Sequence, residues 1–145
     1  VIDRNYESDI INEKYDFILI DVAGRDSEIF REALLVSDKI IVPTQASLLD
    51  LEVIPYIADK IKEAQEKNPL LKASVVINKA SANPKNNEVA QAKEYLADYP
   101  IFKLVKTVIH DRKQFRDAII ESRSVSEMGS SKAKDELNEF LIEVL

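Results

Sequence analysis

The sequence YDFILIDVAGRDS, residues 15–27, decides how the chain can fold. Its apolar run FILI is continuous rather than alternating, which is typical of a strand covered on both faces of a sheet. The run ends on Asp21, and Gly24, one of two glycines in the chain, follows three residues later. We therefore predict a buried strand at residues 16–21 with a polar site just beyond it.

The rest of the sequence alternates short apolar runs with amphipathic stretches. Further strands are predicted at residues 39–42, 73–77 and 102–109. Helices are predicted at residues 8–14, 28–36, 49–67, 87–97, 113–122 and 131–144. This alternation predicts an α/β fold, with a mostly parallel sheet covered by helices on both faces, in a single domain that spans residues 1–145.

Composition narrows the possible functions. The chain has no cysteine, which excludes disulfides and thiolate zinc sites. Its net charge of −6 argues against wholesale nucleic-acid binding, but residues 101–134 carry eight basic and four acidic residues. That local excess fits either a mixed solvated surface or an anion-binding face, and charge alone does not separate the two.

Ligands of parallel sheets bind beyond the carboxyl ends of the strands. The residues predicted at those ends are Asp21, Pro43, Thr44, Gln45, Asn78, Lys79, His110, Asp111 and Arg112. Asp21 and Gly24 form the pattern D-x-x-G, in which an aspartate orients Mg²⁺ and a glycine N–H approaches a terminal phosphate. The pattern predicts a phosphoryl-transfer site with Asp21 and Gly24 as its catalytic residues.

Two other interpretations use the same strand ends. A guanine-reading N-K-x-D loop is incomplete because Asn78 and Lys79 are followed by Ala80 and Ser81, so adenine is the better base. A receiver-like switch would use Asp21 as phosphoacceptor with Thr44 and Lys79, but the acidic pair on the preceding strand and a proline after the lysine are both missing. Such a switch, or a non-catalytic interaction module, remains the alternative to an ATPase.

Four segments together resemble the ParA/MinD family of deviant Walker P-loop ATPases, and the small plasmid-partition ParA proteins in particular. YDFILIDVAG resembles the Walker B strand of that family, and SDKIIVPTQASLLDLE, residues 37–52, resembles its next strand with a Pro-x-x-x-S-x-x-D-L segment. VVINKAS, residues 75–81, resembles the strand end beside the adenine. TVIHDRKQFRDAIIESRSVSEM, residues 107–128, resembles its I-x-x-R-x-x-F-x-x-A pattern.

The resemblance implies a P-loop NTPase-like fold of Rossmann-type layers and an ATPase in the complete protein, with ATP or ADP and Mg²⁺ as cofactors. The Walker A loop K-G-G-x-G-K-T has no counterpart here, so we expect this chain to be the carboxyl-terminal portion of such a domain, without its first strands. The resemblance implies that Asp21 holds Mg²⁺ through water and that Gly24 senses the γ-phosphate. It places Asn78 and Lys79 beside the adenine, with His110 and Asp111 closing over it.

The resemblance also implies partners. ParA-type proteins form nucleotide-bound homodimers, with residues 43–50 expected near the dimer face, and bind DNA without sequence preference. They respond to a centromere-binding partition protein and are cytoplasmic and nucleoid-associated. Arg112 and Arg116 lie four residues apart and are expected to share one exposed face, with Lys113 close by, which suits phosphate contact. The polar side of the last predicted helix is acidic, so we expect no MinD-type membrane anchor.

Overall fold

The computed structural model describes residues 15–22, 27–83 and 85–145. The chain divides into two units, which comprise residues 1–33 and 34–145. The predicted helix at residues 8–14 and the catalytic candidate Gly24 lie outside the described residues.

The strand predicted at residues 16–21 is wrong. Residues 17–22 have no regular secondary structure, and Phe17 and Leu19 are 73% and 93% exposed. An apolar run forms a buried strand only when a neighbouring strand supplies partners for its backbone, and none of the described strands pairs with this segment. The apolar run therefore does not form the predicted buried strand among the described residues.

The second unit contains a parallel sheet of three strands in the order β1-β2-β3. These are β1 (Lys39–Thr44), β2 (Lys72–Ile77) and β3 (Phe102–Leu104). The register pairs Lys39 with Lys72 and Val75 with Leu104. Strands and helices alternate along the chain, so the predicted α/β class with P-loop NTPase-like layering is confirmed.

The described residues also form helices. They are α1 (Glu28–Val36), α2 (Leu48–Leu51), α3 (Ile54–Gln65), α4 (Glu88–Ala97), α5 (Lys113–Ile120) and α6 (Lys132–Val144), and a 3₁₀ turn lies at Val125–Glu127. No helix of the described part of the chain is long and apolar enough to cross a bilayer.

One predicted helix, at residues 49–67, is two helices in the structure. The break falls between Leu51 and Ile54, and Pro55 occupies the first turn of α3. Proline has no N–H to donate and is tolerated in a first turn, where that donor has no helical acceptor. The sequence pattern was therefore right about the apolar face, but Pro55 moves the helix start.

β3 is five residues shorter than the predicted strand at residues 102–109. The backbone still follows β2 at two points, since Val105 N donates to Val75 O at 2.9 Å and Ile109 N donates to Ile77 O at 3.0 Å. Between them, Lys106 N donates to the carboxylate of Glu143 at 2.9 Å instead of to a strand. A side chain of α6 thus replaces the missing ladder bonds.

The two faces of β2 are covered by different helices. Alternate side chains of a strand point to opposite faces, so Val76 lies on one face and Val75 and Ile77 on the other. The Val76 face packs in one cluster with the following residues: Ile41, Val105, Ile109, Phe115, Phe140 and Val144. Right-handed crossovers place α3 and α4 on the opposite face, which agrees with complete burial of Ile54, Ile61 and Ala92.

Candidate functional site

A shallow cleft of about 250 Å³ lies at the carboxyl ends of β1 and β2. Its lining comprises Pro43, Thr44, Gln45, Asp50, Val53, Asn78 and Lys79. The cleft forms because both strands stop at this edge and the chain turns away from each of them. This is the position where open parallel sheets bind ligands.

Thr44 and the start of α2 build one wall of the cleft. The hydroxyl of Thr44, which is 6% exposed, donates to the backbone oxygens of Gln45 at 3.3 Å and Asp50 at 3.4 Å. Ser47 caps α2, because its side chain accepts from Asp50 N at 3.3 Å. These bonds fix the loop between β1 and α2.

Asn78 and Lys79 build the other wall. Asn78 N donates to Thr44 O at 2.7 Å, and Asn78 Oδ1 accepts from Lys79 N at 2.9 Å. Lys79 has φ = 52°, a left-handed conformation that is uncommon for residues other than glycine. The amide nitrogen of Asn78 donates to none of the described residues, and it remains a donor for a ligand.

The loop after β3 reaches the same edge of the sheet. Ala80 N donates to Ile109 O at 3.0 Å, and Asp111 N donates to Ala80 O at 2.9 Å, which makes an isolated parallel bridge between Ala80 and His110. The four residues predicted to surround a base, Asn78, Lys79, His110 and Asp111, therefore lie on two adjoining segments.

Glu136 on α6 holds that loop, and sequence reasoning missed it. Its carboxylate accepts from His110 N at 3.2 Å, from Arg112 Nε at 3.0 Å and from Arg112 Nη2 at 2.5 Å. His110 Nδ1 lies 2.8 Å from Glu136 Oε1. Glu136 was assigned to the polar, solvated side of the last helix, and no feature of the sequence distinguishes it from Glu139 one turn later.

Burial and hydrogen bonding act in opposite directions on Glu136. Burial raises the pKa of this carboxyl, whereas the hydrogen bond from Arg112 and the contacts with His110 lower it, and the pKa falls below its usual range. Glu136 is therefore an ionised anchor for the loop near neutral pH.

The prediction that Arg112 and Arg116 share one exposed face is wrong. The Arg112 side chain is 21% exposed because it is bound to Glu136, whereas the Arg116 side chain is 62% exposed. Position 112 precedes α5 with extended backbone, so the helical spacing rule does not apply to it.

The two exposed cations proposed for DNA are ion-paired. Lys113 Nζ lies 3.0 Å from Asp117 Oδ2, and Arg116 Nη1 lies 2.6 Å from Asp111 Oδ1. Exposed pairs of this kind are worth about 0–1 kcal/mol, so a phosphate can displace the carboxylate at little cost.

Asp21 belongs to the first unit and is exposed there, in a segment without regular structure. Within residues 15–22, 27–83 and 85–145, no group of three or more His, Cys, Asp or Glu side chains is arranged to hold a metal ion. Mg²⁺ in nucleotide sites needs only one or two carboxylates, because phosphates and water supply its other ligands. A lone Asp21 fits that donor set.

Comparison with known proteins identifies the class. The profile of a family described as "AAA domain" matches residues 5–77, half of the chain. The chain belongs to this family of ParA/MinD-like P-loop proteins, as its motifs predicted.

Individual relatives are similar to this chain over part of their own length. The "Maintenance of carboxysome distribution protein A" of Halothiobacillus neapolitanus is 28% identical over 134 residues, which cover 90% of this chain and 61% of that protein. An uncharacterized protein of Methanocaldococcus jannaschii, MJECL24, is 28% identical over 138 residues, 92% of this chain and 53% of that protein. A Pseudomonas putida protein, also uncharacterized, is 37% identical over 90 residues, 59% of this chain and 34% of that protein. The chain thus spans little more than half the length of the first two relatives.

Proposed function

We propose that this chain is part of a ParA-type ATPase that positions a cargo in the cell, and that it supplies the base-binding side of the nucleotide site. The observation that carries the proposal is the bridge between Ala80 and His110, which joins the end of β2 to the loop after β3. It puts Asn78 and Asp111 on adjoining segments at the ligand-binding edge of a parallel sheet.

The chemistry of that edge suits adenine. The carboxamide nitrogen of Asn78 is an uncommitted donor, and adenine offers ring nitrogens as acceptors. Lys79 is exposed beside it and adds a positive charge for a ribose phosphate. The loop carrying His110 and Asp111 is held by Glu136, which preorganises its position at this edge of the sheet.

In this proposal, Mg²⁺ and the phosphates lie at the D-x-x-G segment. Asp21 holds Mg²⁺ through water, and the N–H of Gly24 approaches the γ-phosphate. When bound, Mg²⁺ neutralises charge that develops on the phosphates. The contribution of the protein residues is to orient the metal and the terminal phosphate.

The partners follow from the family in the same way. We infer a nucleotide-dependent homodimer whose interface includes residues 43–50. Lys113 and Arg116 contact DNA without sequence preference, and Arg112 lies beside them but is bound to Glu136. We infer no contact with a membrane. The cargo partner is a centromere-binding partition protein in the plasmid-partition version of this function. The name of the Halothiobacillus relative supports a version in which the cargo is the carboxysome. Either version acts on the nucleoid in the cytoplasm.

Nucleotide binding to the full-length protein tests the base site. Asn78→Ala is expected to weaken binding of a fluorescent ATP analogue roughly tenfold, the usual consequence of losing a hydrogen bond together with its orientation. Asn138→Ala, at an exposed position on α6, is the matched control and is expected to change nothing. Tighter binding of GTP than of ATP would contradict the adenine assignment.

Substitution of Asp21 distinguishes the ATPase hypothesis from the receiver-like alternative. Asp21→Asn is expected to abolish Mg²⁺-dependent ATP hydrolysis while leaving nucleotide binding measurable. Stable phosphorylation of Asp21 by acetyl phosphate, together with normal ATP hydrolysis in the Asn variant, would favour the phosphoacceptor switch instead.

A further inference from the structure

A second cleft lies at the opposite, amino-terminal edge of the sheet. Its volume is about 490 Å³, nearly twice that of the cleft at the carboxyl ends. Three lysines line it, one from each strand: Lys39, Lys72 and Lys103. Ser74 and Glu143 line it too. Neither the family match nor the function proposed above assigns a role to this amino-edge cleft.

The strand register puts the lysines on one face. Lys39 pairs with Lys72, and Ser74 pairs with Lys103, and paired residues of adjacent parallel strands point to the same side. Ser74 is two residues after Lys72 and therefore also shares that side. Three ammonium groups and one hydroxyl thus project from neighbouring strands toward a single cleft.

Ser74 is a mostly buried residue whose hydroxyl is uncommitted. Ser74 is 6% exposed, and its hydroxyl makes no hydrogen bond with any residue in the described part of the chain. In that same part, no fully inaccessible side-chain nitrogen or oxygen lacks a partner, so the hydroxyl must be reached from the cleft. Because the hydroxyl is accessible from the cleft and has no partner among the described residues, it is free to donate to a ligand.

Two of the lysines make no close ion pair with the residues that the structure describes. Lys39 Nζ donates to Val144 O at the carboxyl end of α6, and Glu143 is occupied by the N–H groups of Lys106 and Thr107. Lys72 and Lys103 make no side-chain hydrogen bond or ion pair with residues that the structure describes. This differs from α5, where Lys113 and Arg116 are paired. Lys103 is still close enough to Glu143 to help lower the pKa of that carboxyl, so the cleft combines three lysines with one carboxylate.

We propose that the amino-edge cleft binds a small molecule through a phosphate or pyrophosphate group, with Lys72 and Lys103 as its cationic contacts and Ser74 as a hydroxyl donor. The cleft volume is in the range of small-molecule sites. The buried position of Ser74 favours a small phosphate ester over a nucleic acid, because the phosphates of a stiff duplex cannot reach the floor of a cleft of this size. Lysine is a common phosphate ligand as a point charge.

Calorimetric titration of the full chain with inorganic pyrophosphate tests the proposal. We expect saturable one-to-one binding that weakens with salt, and a loss of about tenfold in affinity for each of Lys72→Gln and Lys103→Gln. Ser74→Ala removes only the hydroxyl and is expected to weaken binding about threefold to tenfold without changing the salt dependence. Lys62→Gln, on the exposed side of α3, is the matched charge control and should bind as the parent does.

Several outcomes would overturn the proposal. They are an absence of saturable binding, an equal loss in Lys62→Gln, or unchanged binding in the double variant of Lys72 and Lys103. Binding of duplex DNA or poly-glutamate that depends on these lysines, without pyrophosphate binding, would show a polyanion surface instead. Asn78→Ala should leave pyrophosphate binding intact, so failure here is distinguishable from failure of the nucleotide site.

Discussion

Arg112 and Glu136 form a bidentate pair, with Arg112 Nε 3.0 Å from Glu136 Oε2 and Arg112 Nη2 2.5 Å from Glu136 Oε1. The two residues come from different elements, the loop before α5 and the second turn of α6. His110 binds the same carboxylate through its backbone N–H and lies beside it through Nδ1. One side chain therefore sets the position of the loop that carries the candidate base-binding residues.

Glu136→Ala is expected to lower the free energy of unfolding by about 2–3 kcal/mol, because it leaves a half-buried guanidinium and a backbone N–H without an acceptor. Urea denaturation of the full chain measures this loss. Glu139→Ala, one turn away and exposed on the same helix, should cost less than about 0.5 kcal/mol. Equal effects of the two variants would mean that the Glu136 contacts do not stabilise the fold.

The free energy of unfolding should decrease in acid because two carboxylates, Glu136 and Glu143, become protonated. The hydrogen bonds from Lys106 and Thr107 N–H lower the pKa of Glu143, and the pKa of Glu136 is lowered also. A carboxyl whose pKa is lower in the folded state than in the unfolded state stabilises the fold at any pH above its unfolded pKa, which is about 4.3 for glutamate. That stabilisation is lost as the pH falls through the folded pKa. The free energy of unfolding should therefore decrease below about pH 4–5.

The matched variants for this pH effect are Glu136→Gln and Glu143→Gln. Each should reduce the pH dependence of the unfolding free energy between about pH 2 and 5, since each removes one linked proton. Glu139→Gln is the control and should retain the parent slope. A parent slope in both Gln variants would show that other carboxyls dominate acid unfolding.

The periodicity of apolar residues predicted α1 and β2 closely. Helix α1 has the predicted bounds, and β2 differs from its prediction by one residue, because their apolar positions repeat with the period of each element. Pattern failed for residues 16–21, where an apolar run needs a partner strand that no local rule reveals. It also overextended β3, since the bonds that end the strand come from Glu143, 39 residues after Leu104.

The candidate site was predicted as a set of strand ends, and the structure brings two of those ends together around Ala80 and His110. What the sequence did not reveal is which charges pair. Arg112 looked like an exposed neighbour of Arg116, and Glu136 looked like a solvated helix residue, yet they bind one another. Such pairings depend on how α6 packs beside the loop, which is a long-range property.

Core substitutions should show where the second unit derives its stability. Ile61 on α3 is 0% exposed, so Ile61→Ala is expected to cost about 3 kcal/mol in unfolding free energy through lost burial and a residual cavity. Ile119→Ala makes the same chemical change on α5 at a site that is 76% exposed, and it should cost less than about 1 kcal/mol. Chemical denaturation of both variants compares them directly, and similar losses would contradict the packing described for α3.

The carboxyl end of α5 offers a stabilising substitution. Ser122 has φ = 51°, Ser122 N donates to Ile119 O at 3.0 Å, and Arg123 N donates to Ala118 O at 2.9 Å. These two bonds form a Schellman motif, in which the left-handed residue is usually glycine because a Cβ is unfavourable there. Ser122→Gly should therefore raise the unfolding free energy by about 0.5–1 kcal/mol.

A substitution at Ser124, two residues after Ser122, is expected to change stability in the opposite direction and serves as the comparison for Ser122→Gly. Ser124 caps the 3₁₀ turn, because its side chain accepts from Ser126 N at 3.2 Å and its N–H donates to Glu127 Oε2 at 2.7 Å. Ser124→Ala should lower the unfolding free energy by about 1 kcal/mol, since a capping acceptor is lost. Thermal denaturation of both variants separates the two effects. A decrease in the melting temperature of Ser122→Gly would show that the flexibility glycine adds to the unfolded chain outweighs the relief of the left-handed backbone.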